Sequence, residues 1–409
     1  MSYLWGKLDR LVAGPALMFV LQNLVFWTAA AIFWRTTRGK SFGLATALIL
    51  LGLLPQILSQ LTTVWKDVGL GACLFLTAAL VYQADQAKSK CLLLISPVFL
   101  FYGYAVRLNA FPAVLPLAIW SGIVAARIFE FEKRKFAAVL IGFGYFFALS
   151  AAGYLVSHKI TDERTVYPAQ QIFLYDLAAI SAARGEALFP EYVLKYENFS
   201  LEIVKSRYNI ISVNDLIYAD APHRGDLPVL PLTVNAEEIS ALRSKWFESV
   251  AAHPLNYLSH RGKVFAQLVG LGYSVTRPYW DIGFASSPPE FRGQENFAGK
   301  VLTEYFSLFR RPVMQTFAFR GFVWLSLSAF FLYQALKNKL RADWEIVFVL
   351  SASGLLFALA YFPTTPSTEF RYLFWSAISS ATAIVWGTYL LSQQPDGNFL
   401  NKFLLKLRK

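Results

Sequence analysis

The sequence predicts an all-α integral membrane protein, with about nine transmembrane helices and a mostly helical extracytoplasmic domain. Three observations support this class. Hydrophobic residues make up 56% of the 409 residues and charged residues only 16%, whereas soluble domains are nearer a quarter charged. Long apolar runs recur along the chain, and one long polar interval separates the early runs from the late ones. No run shows the alternation of a barrel strand.

About nine apolar runs approach the roughly 20 residues that a helix needs to cross a bilayer. The fourth and fifth are short and lie close together, so they are either tilted helices or one broken pair. The runs cover residues 12–34, 42–60, 67–84, 91–106, 111–127, 137–157, 316–336, 344–362 and 372–392. They define an N-terminal membrane domain (1–157, about six spans), an extracytoplasmic domain (158–315), three C-terminal spans (316–392) and a basic cytoplasmic tail (393–409).

The charges predict the orientation. The net charge is +12, but residues 158–311 hold 16 Lys and Arg against 17 Asp and Glu, so the excess lies between the apolar runs. This pattern indicates cytoplasmic loops facing anionic lipid and argues against a nucleic-acid partner. Sixteen cations fall in alternate gaps and in the tail. They are Arg35, Arg38, Lys40, Lys88, Lys90, Arg127, Lys133, Arg134, Lys135, Lys337, Lys339, Arg341, Lys402, Lys406, Arg408 and Lys409.

The interval 158–315 reads as helices joined by Pro-containing turns. Helical spacing is clearest from Phe173 to Ala183, from Glu237 to Ala252 and from Leu255 to Leu271. Asn235 is the predicted cap of the second helix, with Glu238 three residues later. His253 and His260 can share a helix face but have no obvious acid partner. Four scattered acids are explained by a solvated surface: Asp176, Glu186, Glu191 and Glu197.

Polar residues sit unusually at helix ends on the predicted outer face. They belong to the segments Trp65-Lys66-Asp67, Arg107-Leu-Asn109 and 363–372, the last of which holds Glu369, Arg371 and Tyr372. Charges at membrane level are costly and indicate a functional site. Three cations and two acids around one cavity suit a phosphate-bearing lipid and an acid/base group.

A structural explanation exists for each residue alone. Lys66 and Asp67 can solvate a helix start, where an acid is favourable, while Arg107 and Arg371 can reach lipid headgroups. For the set as a whole we favour function. The four His and the two Cys form no zinc pattern or disulfide framework, so no metal ligands are predicted and metal dependence is open.

The order of these motifs resembles that of the GT-C-type polytopic membrane glycosyltransferases of bacteria. The similar segments are Leu21–Leu24 (Leu-Gln-Asn-Leu), Trp65-Lys66-Asp67, Arg107-x-Asn109-Ala110 and a late Pro-rich loop ending in Arg371-Tyr372. The middle block, with Tyr175-Asp176, Trp246 and His253-Pro-x-x-Tyr-x-x-His260-Arg261, resembles the family's extracytoplasmic block. The resemblance runs across most of the chain, although each motif is short.

The resemblance implies a transferase of the bacterial inner membrane that acts in cell-envelope polysaccharide biosynthesis. Its donor substrate would be a polyprenyl-phosphate-linked sugar, and its acceptor a glycan or lipid outside the cytoplasm. Lys66, Arg107 and Arg371 would hold the phosphate. Asp67 is a candidate helper acid, and Trp65, Asn109, Glu369 and Tyr372 are candidate substrate contacts.

The chain departs from the family pattern at its start. The family's acidic first outer loop follows a first helix, whereas here Met1 lies near the end of that loop and Asp9 is its one remaining acid. Nine spans also place the N-terminus outside, beside Lys7 and Arg10, which is unusual. Either the catalytic base lies upstream of Met1, which we favour, or the chain is a shortened member without catalysis.

Three other functions compete with a transferase. The chain can be a catalytically inactive or assembly component of an envelope polysaccharide system, or a polysaccharide polymerase or ligase, which has a similar outline. A transporter of lipid-linked sugar is disfavoured, because no internal repeat is found and the middles of the spans are nearly free of charge.

Overall fold

A computed structural model describes residues 1–131, 134–159, 167–218, 227–272, 297–308, 317–338 and 341–394. Within these ranges the chain forms α-helices and short 3-10 turns, with no β-strand beyond one isolated bridge between Ser212 and Ser367. The predicted all-α class is confirmed. Most of the basic tail, together with Lys133 and Lys339, lies outside the described residues.

The chain divides into two compact units. Unit 1 comprises residues Met1–Thr161, Arg277–Ala360 and Arg371–Lys409, and unit 2 comprises Asp162–Thr276 together with Tyr361–Phe370. We call the ten-residue segment 361–370 the strap. The predicted domain boundaries at 157, 315 and 392 stay predictions.

Eight helices form the first part of unit 1. They are α1 (Ser2–Asp9), α2 (Ala16–Thr37), α3 (Phe42–Leu50), α4 (Pro55–Leu61), α5 (Lys66–Ala87), α6 (Lys90–Val106), α7 (Phe111–Ile128) and α8 (Arg134–Lys159). Local sequence explains several boundaries. Ser41 and Ser89 cap α3 and α6 by accepting hydrogen bonds from backbone amides, and Pro55 begins α4.

Six further helices belong to unit 2: α9 (Ala169–Arg184), α10 (Glu191–Leu194), α11 (Leu201–Arg207), α12 (Asn214–Ile217), α13 (Ala236–Ala252) and α14 (Pro254–Leu268). The three helices predicted in this interval are present as α9, α13 and α14, although the third ends at Leu268 and not at Leu271. Asn235 caps α13 as expected, its side chain accepting a bond of 2.8 Å from the Glu237 amide.

The chain returns to unit 1 with α15 (Phe297–Leu308), α16 (Gly321–Lys337), α17 (Ala342–Thr364) and α18 (Phe374–Ser392), although the last turn of α17, from Tyr361, belongs to the strap. Five described helical segments are long and apolar enough to cross a membrane: α2, α5, α7, α17 and the continuous segment Phe370–Ser392 that contains α18. A bent pair, Phe42–Leu53 with Pro55–Leu61 at 54°, makes a sixth if it counts as one span.

Three of the nine predicted spans are helical but are too short to count as candidate membrane-crossing helices. Helices α6 and α16 have 17 residues each, and the apolar part of α8 is Leu140–Gly153. At 1.5 Å per residue a 17-residue helix is about 25 Å long, less than the hydrocarbon thickness of about 30 Å. The described residues therefore support an integral membrane protein with five or six candidate spans.

Helix α5 is the centre of unit 1. Every residue from Asp67 to Tyr82 is buried, and the helix packs against α2, α6, α7 and α18. Helices α7 and α8 are in close backbone contact at Gly122 and Gly142. A Cβ atom at Gly122 would lie 2.5 Å from the Ala138 carbonyl oxygen, so only glycine allows this crossing.

An ion-pair network joins α5, α7 and α17 at the end of α5 far from Lys66. Arg127 donates to both carboxylate oxygens of Glu345, at 3.0 and 2.7 Å, and lies 3.2 Å from Asp85. Lys88 is 3.3 Å from Asp85, and Lys40 donates to the hydroxyl of Tyr82 at 3.0 Å. Three of the predicted basic segments thus meet at one end of unit 1.

The core of unit 2 is apolar, and α9 contributes several of its buried residues. Its buried members include Leu174, Tyr175 and Leu177 of α9, with Leu242 of α13 and Val264 of α14. The strap joins this unit through its backbone. The amide of Val213 donates to the Pro366 carbonyl at 3.0 Å, and the amide of Thr368 donates to the Ile211 carbonyl at 2.8 Å.

Candidate functional site

Five of the predicted site residues lie together in unit 1, although they come from three distant segments. Trp65 and Asp67 are at the start of α5, and Arg107 directly follows the end of α6. Arg371 and Tyr372 lie in the 3-10 turn Phe370–Leu373 that precedes α18. The packing of α5 against α6 and α18 brings these segments to one end of the unit.

Asp67 and Arg107 form a two-pronged ion pair. Arg107 Nε lies 2.7 Å from Asp67 Oδ1, and Arg107 Nη2 donates to Asp67 Oδ2 at 2.8 Å. The Asp67 side chain is 2% exposed and that of Arg107 is 18% exposed. Such parallel bonds fix both planes, and the first turn of α5 also favours a carboxylate. Asp67 therefore orients Arg107.

Two guanidinium groups share the ring of Tyr372. The Arg371 guanidinium carbon lies 3.8 Å from the centre of the Trp65 ring and 5.1 Å from that of Tyr372. The Arg107 guanidinium carbon lies 4.9 Å from the centre of the Tyr372 ring. Aromatic faces attract cations by their quadrupole, and the attraction strengthens where water is excluded. The rings hold two like charges close to one another.

The segment before α5 is fixed by α2. The side-chain amide of Gln22 donates to the Trp65 carbonyl at 3.0 Å, and that of Asn23 donates to the Leu61 carbonyl at 3.0 Å. Leu61 is the last residue of α4, where a carbonyl has no partner within the helix, whereas the Trp65 carbonyl also accepts from the amides of Val68 and Gly69 at the start of α5. The Leu21–Leu24 motif therefore has a definite role next to the predicted site.

The other predicted residues differ in their surroundings. Lys66 is exposed beside Asp67, and Asn109 is half-buried two residues after Arg107. Glu369 is half-buried and belongs to the strap of unit 2. Asp9 accepts a bond of 2.7 Å from the Gly14 amide, which stabilises the turn between α1 and α2. The roles assigned to all nine residues stay predictions.

Chemically, the unit 1 cluster is a cationic site with one carboxylate. Lys66, Arg107 and Arg371 carry positive charge, and Asp67 is the one predicted acid among them. Arginine forks match the oxygens of phosphate or carboxylate groups. Within the described residues no group of three or more His, Cys, Asp or Glu side chains is placed to hold a metal ion.

Unit 2 contains a second, fully buried ion pair that the sequence reasoning missed. Asp176 and Arg261 are both 0% exposed, so the assignment of Asp176 to the solvated surface was wrong. Glu186, Glu191 and Glu197 are exposed as expected. Arg261 Nε lies 2.7 Å from Asp176 Oδ1, and its Nη2 donates to Oδ2 at 2.8 Å.

Further donors complete this network and extend it to the strap. The indole of Trp246 donates to Asp176 at 2.8 Å, and Arg261 Nη1 donates to the Thr365 carbonyl at 2.8 Å. His260 Nε2 is 3.3 Å from Asp176, and its Nδ1 is 2.8 Å from the Tyr208 hydroxyl. His260 therefore has the acid partner that its sequence context did not reveal.

Burial controls protonation around this network. Burial lowers the pKa of His260, against a smaller opposing effect of Asp176, so the imidazole is held neutral. Burial also raises the pKa of Tyr208 to about 12 and that of Tyr175 well above its usual value. Asp176 and Arg261 neutralise each other, and His260, Tyr208 and Tyr175 stay uncharged around them. The network is therefore a structural part of the unit 2 core.

The sequence contained a partial signal for the missed residues. Asp176 follows the aromatic Tyr175 in a helix whose other positions are apolar, which indicates a buried face. Its partner Arg261 is 85 residues away, and no spacing rule connects them.

Comparison with known proteins places the chain in no family. The chain matches no protein-family model, no curated protein and no solved structure.

Proposed function

We propose that this protein is a membrane glycosyltransferase that moves a sugar from a polyprenyl phosphate to an acceptor outside the cytoplasm. The observation that carries the proposal is the pair of guanidinium groups, Arg107 and Arg371, held around the ring of Tyr372. Two like charges at the end of a membrane helix bundle are costly unless a site needs them. The resemblance of the motif order to GT-C enzymes supports the same function.

The charge of the cluster favours an anionic lipid headgroup. The formal charges of Lys66, Arg107, Arg371 and Asp67 sum to about +2, which suits a phosphate diester or monoester. The second predicted acid, Glu369, belongs to the strap and is not counted in this sum. Lys66 is exposed and supplies a mobile point charge, whereas the arginines are oriented by Asp67 and Trp65.

The proposed transfer forms a bond between the acceptor hydroxyl oxygen and the anomeric carbon of the sugar. The bond from that carbon to the phosphate oxygen breaks, and its electron pair leaves on the polyprenyl phosphate. Arg107 turns from Asp67 towards the phosphate. In place of the base expected upstream of Met1, we assign the proton of the hydroxyl to the released carboxylate oxygen of Asp67, the acid beside Arg107. The cations stabilise the charge that develops on the leaving phosphate.

The proposal includes a bacterial inner-membrane location and nine spans. The basic segments that meet around Asp85 and Arg127 would face the cytoplasm by the positive-inside rule. The cationic cluster would then face outwards, as would unit 2. Helices α6, α8 and α16 would complete the nine spans by tilting little and ending near the bilayer surface.

Single substitutions in the full chain test this function. Lys66→Ala, Arg107→Ala and Arg371→Ala should each weaken binding of a polyprenyl phosphate in nanodiscs at least tenfold and abolish glycan modification in cells. Lys88→Ala is the matched control, because Lys88 is 65% exposed at the other end of α5. Normal binding and normal glycan from all three variants would refute the site.

Asp67→Asn separates a transferase from a binding component. It should retain lipid-phosphate binding and lose transfer, since an amide cannot accept the proton. The alternative, a catalytically inactive assembly component, is favoured by one observation: both oxygens of Asp67 are engaged by Arg107. Unchanged glycan in the Asp67→Asn variant would support that alternative, and transfer of whole oligosaccharides would indicate a polymerase or ligase.

A further inference from the structure

A separate cavity of about 150 Å³ lies in unit 1 among α1, α2, α5 and α6. Its wall is apolar over most of its area and includes Met18, Leu21 and Val25 of α2, Ala72 and Cys73 of α5 and Phe99 of α6. Helices α2 and α5 are both candidate spans. The medium that reaches such a cavity inside a bilayer is hydrocarbon.

Two polar side chains also line this cavity, Gln22 and Tyr102. Gln22 is 3% exposed, and its Nε2 donates to the Trp65 carbonyl, which fixes the orientation of the amide. Its Oε1 is therefore an acceptor, and within the described residues it has no hydrogen-bond partner. The hydroxyl of Tyr102 is likewise buried without one among those residues.

These atoms specify the chemistry of an occupant. A buried acceptor is costly to leave unpaired, and Gln22 Oε1 can pair with a donor but not with a phosphate oxygen. The apolar wall suits a lipid chain. With about 30 Å³ for a water-sized group, the volume has room for roughly five heavy atoms.

We propose that the cavity binds the part of a lipid chain that carries a hydroxyl group. Gln22 Oε1 accepts the hydroxyl proton, and the Tyr102 hydroxyl donates to the lipid oxygen. The ionised phosphate group of the proposed sugar donor offers acceptors only, so it does not suit Gln22 Oε1. If the proposed function is right, this hydroxyl lipid is the acceptor of the sugar. That role rests on the proposed function, whereas the binding of the lipid in the cavity does not.

Competition photolabelling of the full chain in phosphatidylcholine nanodiscs tests the binding. The probe is a 12-carbon alcohol with a diazirine in its chain, and the competitors are dodecanol and its methyl ether, which lacks the donor. Labelled peptides should contain residues of the cavity wall. Dodecanol should compete about fivefold better than the ether, as expected for one net hydrogen bond.

Variants identify the two polar groups. Tyr102→Phe removes only the hydroxyl, and Gln22→Met removes the acceptor at similar length; each should bring the two competitors to near equality. Gln56→Met is the matched control. Gln56 lines a different apolar cavity of about 340 Å³, and its Oε1 also lacks a hydrogen-bond partner within the described residues. This variant should keep the fivefold preference.

The outcomes distinguish the two proposals. Equal competition by alcohol and ether in the unmodified chain, or labelling at the Gln56 cavity instead, would overturn the hydroxyl site. Such a result would leave the cationic cluster and its function untouched. Preference for the alcohol without any sugar transfer to it would support the site and count against the proposed transferase.

Discussion

At the scale of single residues, two buried ion pairs with the same geometry have different surroundings. Asp67 and Arg107 meet beside aromatic rings at the end of a helix bundle, with Arg107 18% exposed. Asp176 and Arg261 are 0% exposed and are completed by Trp246 and a strap carbonyl. A closed pair is structural, whereas a pair open on one side can exchange its partner for a substrate.

His260 should make unit 2 sensitive to acid. Burial, with Arg261 and Lys263 nearby, lowers its pKa against the pull of Asp176, and Tyr208 contacts its other nitrogen. The unfolded chain therefore binds the proton first as the pH falls. The free energy of unfolding is highest above the ordinary histidine pKa of about 6.5 and declines below it.

Hydrogen exchange of the α9 and α14 amides between pH 7 and pH 5, corrected for intrinsic rates, measures this decline. His260→Gln should flatten it, and His253→Gln should leave it as it is. An opening free energy that stays constant with pH in the unmodified chain would contradict the role of His260.

At the scale of elements, hydropathy predicted helices well and helix ends less well. Each of the nine apolar runs contains helix in its described part, because a helix satisfies its own backbone hydrogen bonds where no water is present. The break at Leu54-Pro55 fell inside one predicted run, since a proline at helix position one stops the preceding helix without interrupting the apolar pattern. The bend of 54° follows from it.

The candidate site was only partly predictable for a related reason. The sequence showed polar residues at helix ends: Trp65, Asp67, Arg107, Arg371 and Tyr372. That they lie close together was predicted only from their placement on one face of the membrane. Gln22 belonged to the Leu21–Leu24 motif without an assigned role, and Tyr102 was not singled out, since one phenol in an apolar helix is common. The pairs Asp176–Arg261 and Arg127–Glu345 join positions 85 and 218 residues apart, and only tertiary packing brings them together.

The crossing of α7 and α8 should be intolerant of any side chain at its contact. In Gly122→Ala the new Cβ would meet backbone atoms of α8 at 2.5 to 3.1 Å, and backbone cannot move aside as a side chain can. We expect a loss of roughly 1–3 kcal/mol or more, measured as a lower temperature of aggregation in detergent.

Gly144→Ala is the control within α8, because no atom lies within 4 Å of the point that its new Cβ would occupy. It should be neutral or stabilise the helix by up to about 1 kcal/mol. Equal effects of the two substitutions would show that close approach of these helices does not limit stability.

At the scale of the whole molecule, the two ends of α5 should lie on opposite sides of the membrane. Cys91 is exposed at the start of α6, near the basic end, and Cys73 is buried. In intact cells a membrane-impermeant maleimide should label Lys66→Cys and leave Cys91 unlabelled until the cells are permeabilised. Labelling of Cys91 from outside would reverse the proposed orientation.

The strap imposes an order of synthesis on unit 2. The chain leaves this unit at Thr276 and returns at Tyr361, roughly 85 residues later. At about 5–20 residues per second, a nascent chain waits some 4–17 s for the strap. During that time Arg261 can pair with Asp176, but its Thr365 carbonyl partner has not been made. Folding of unit 2 is therefore completed only after the ribosome has passed α17, so α16 and most of α17 are synthesised before unit 2 is finished.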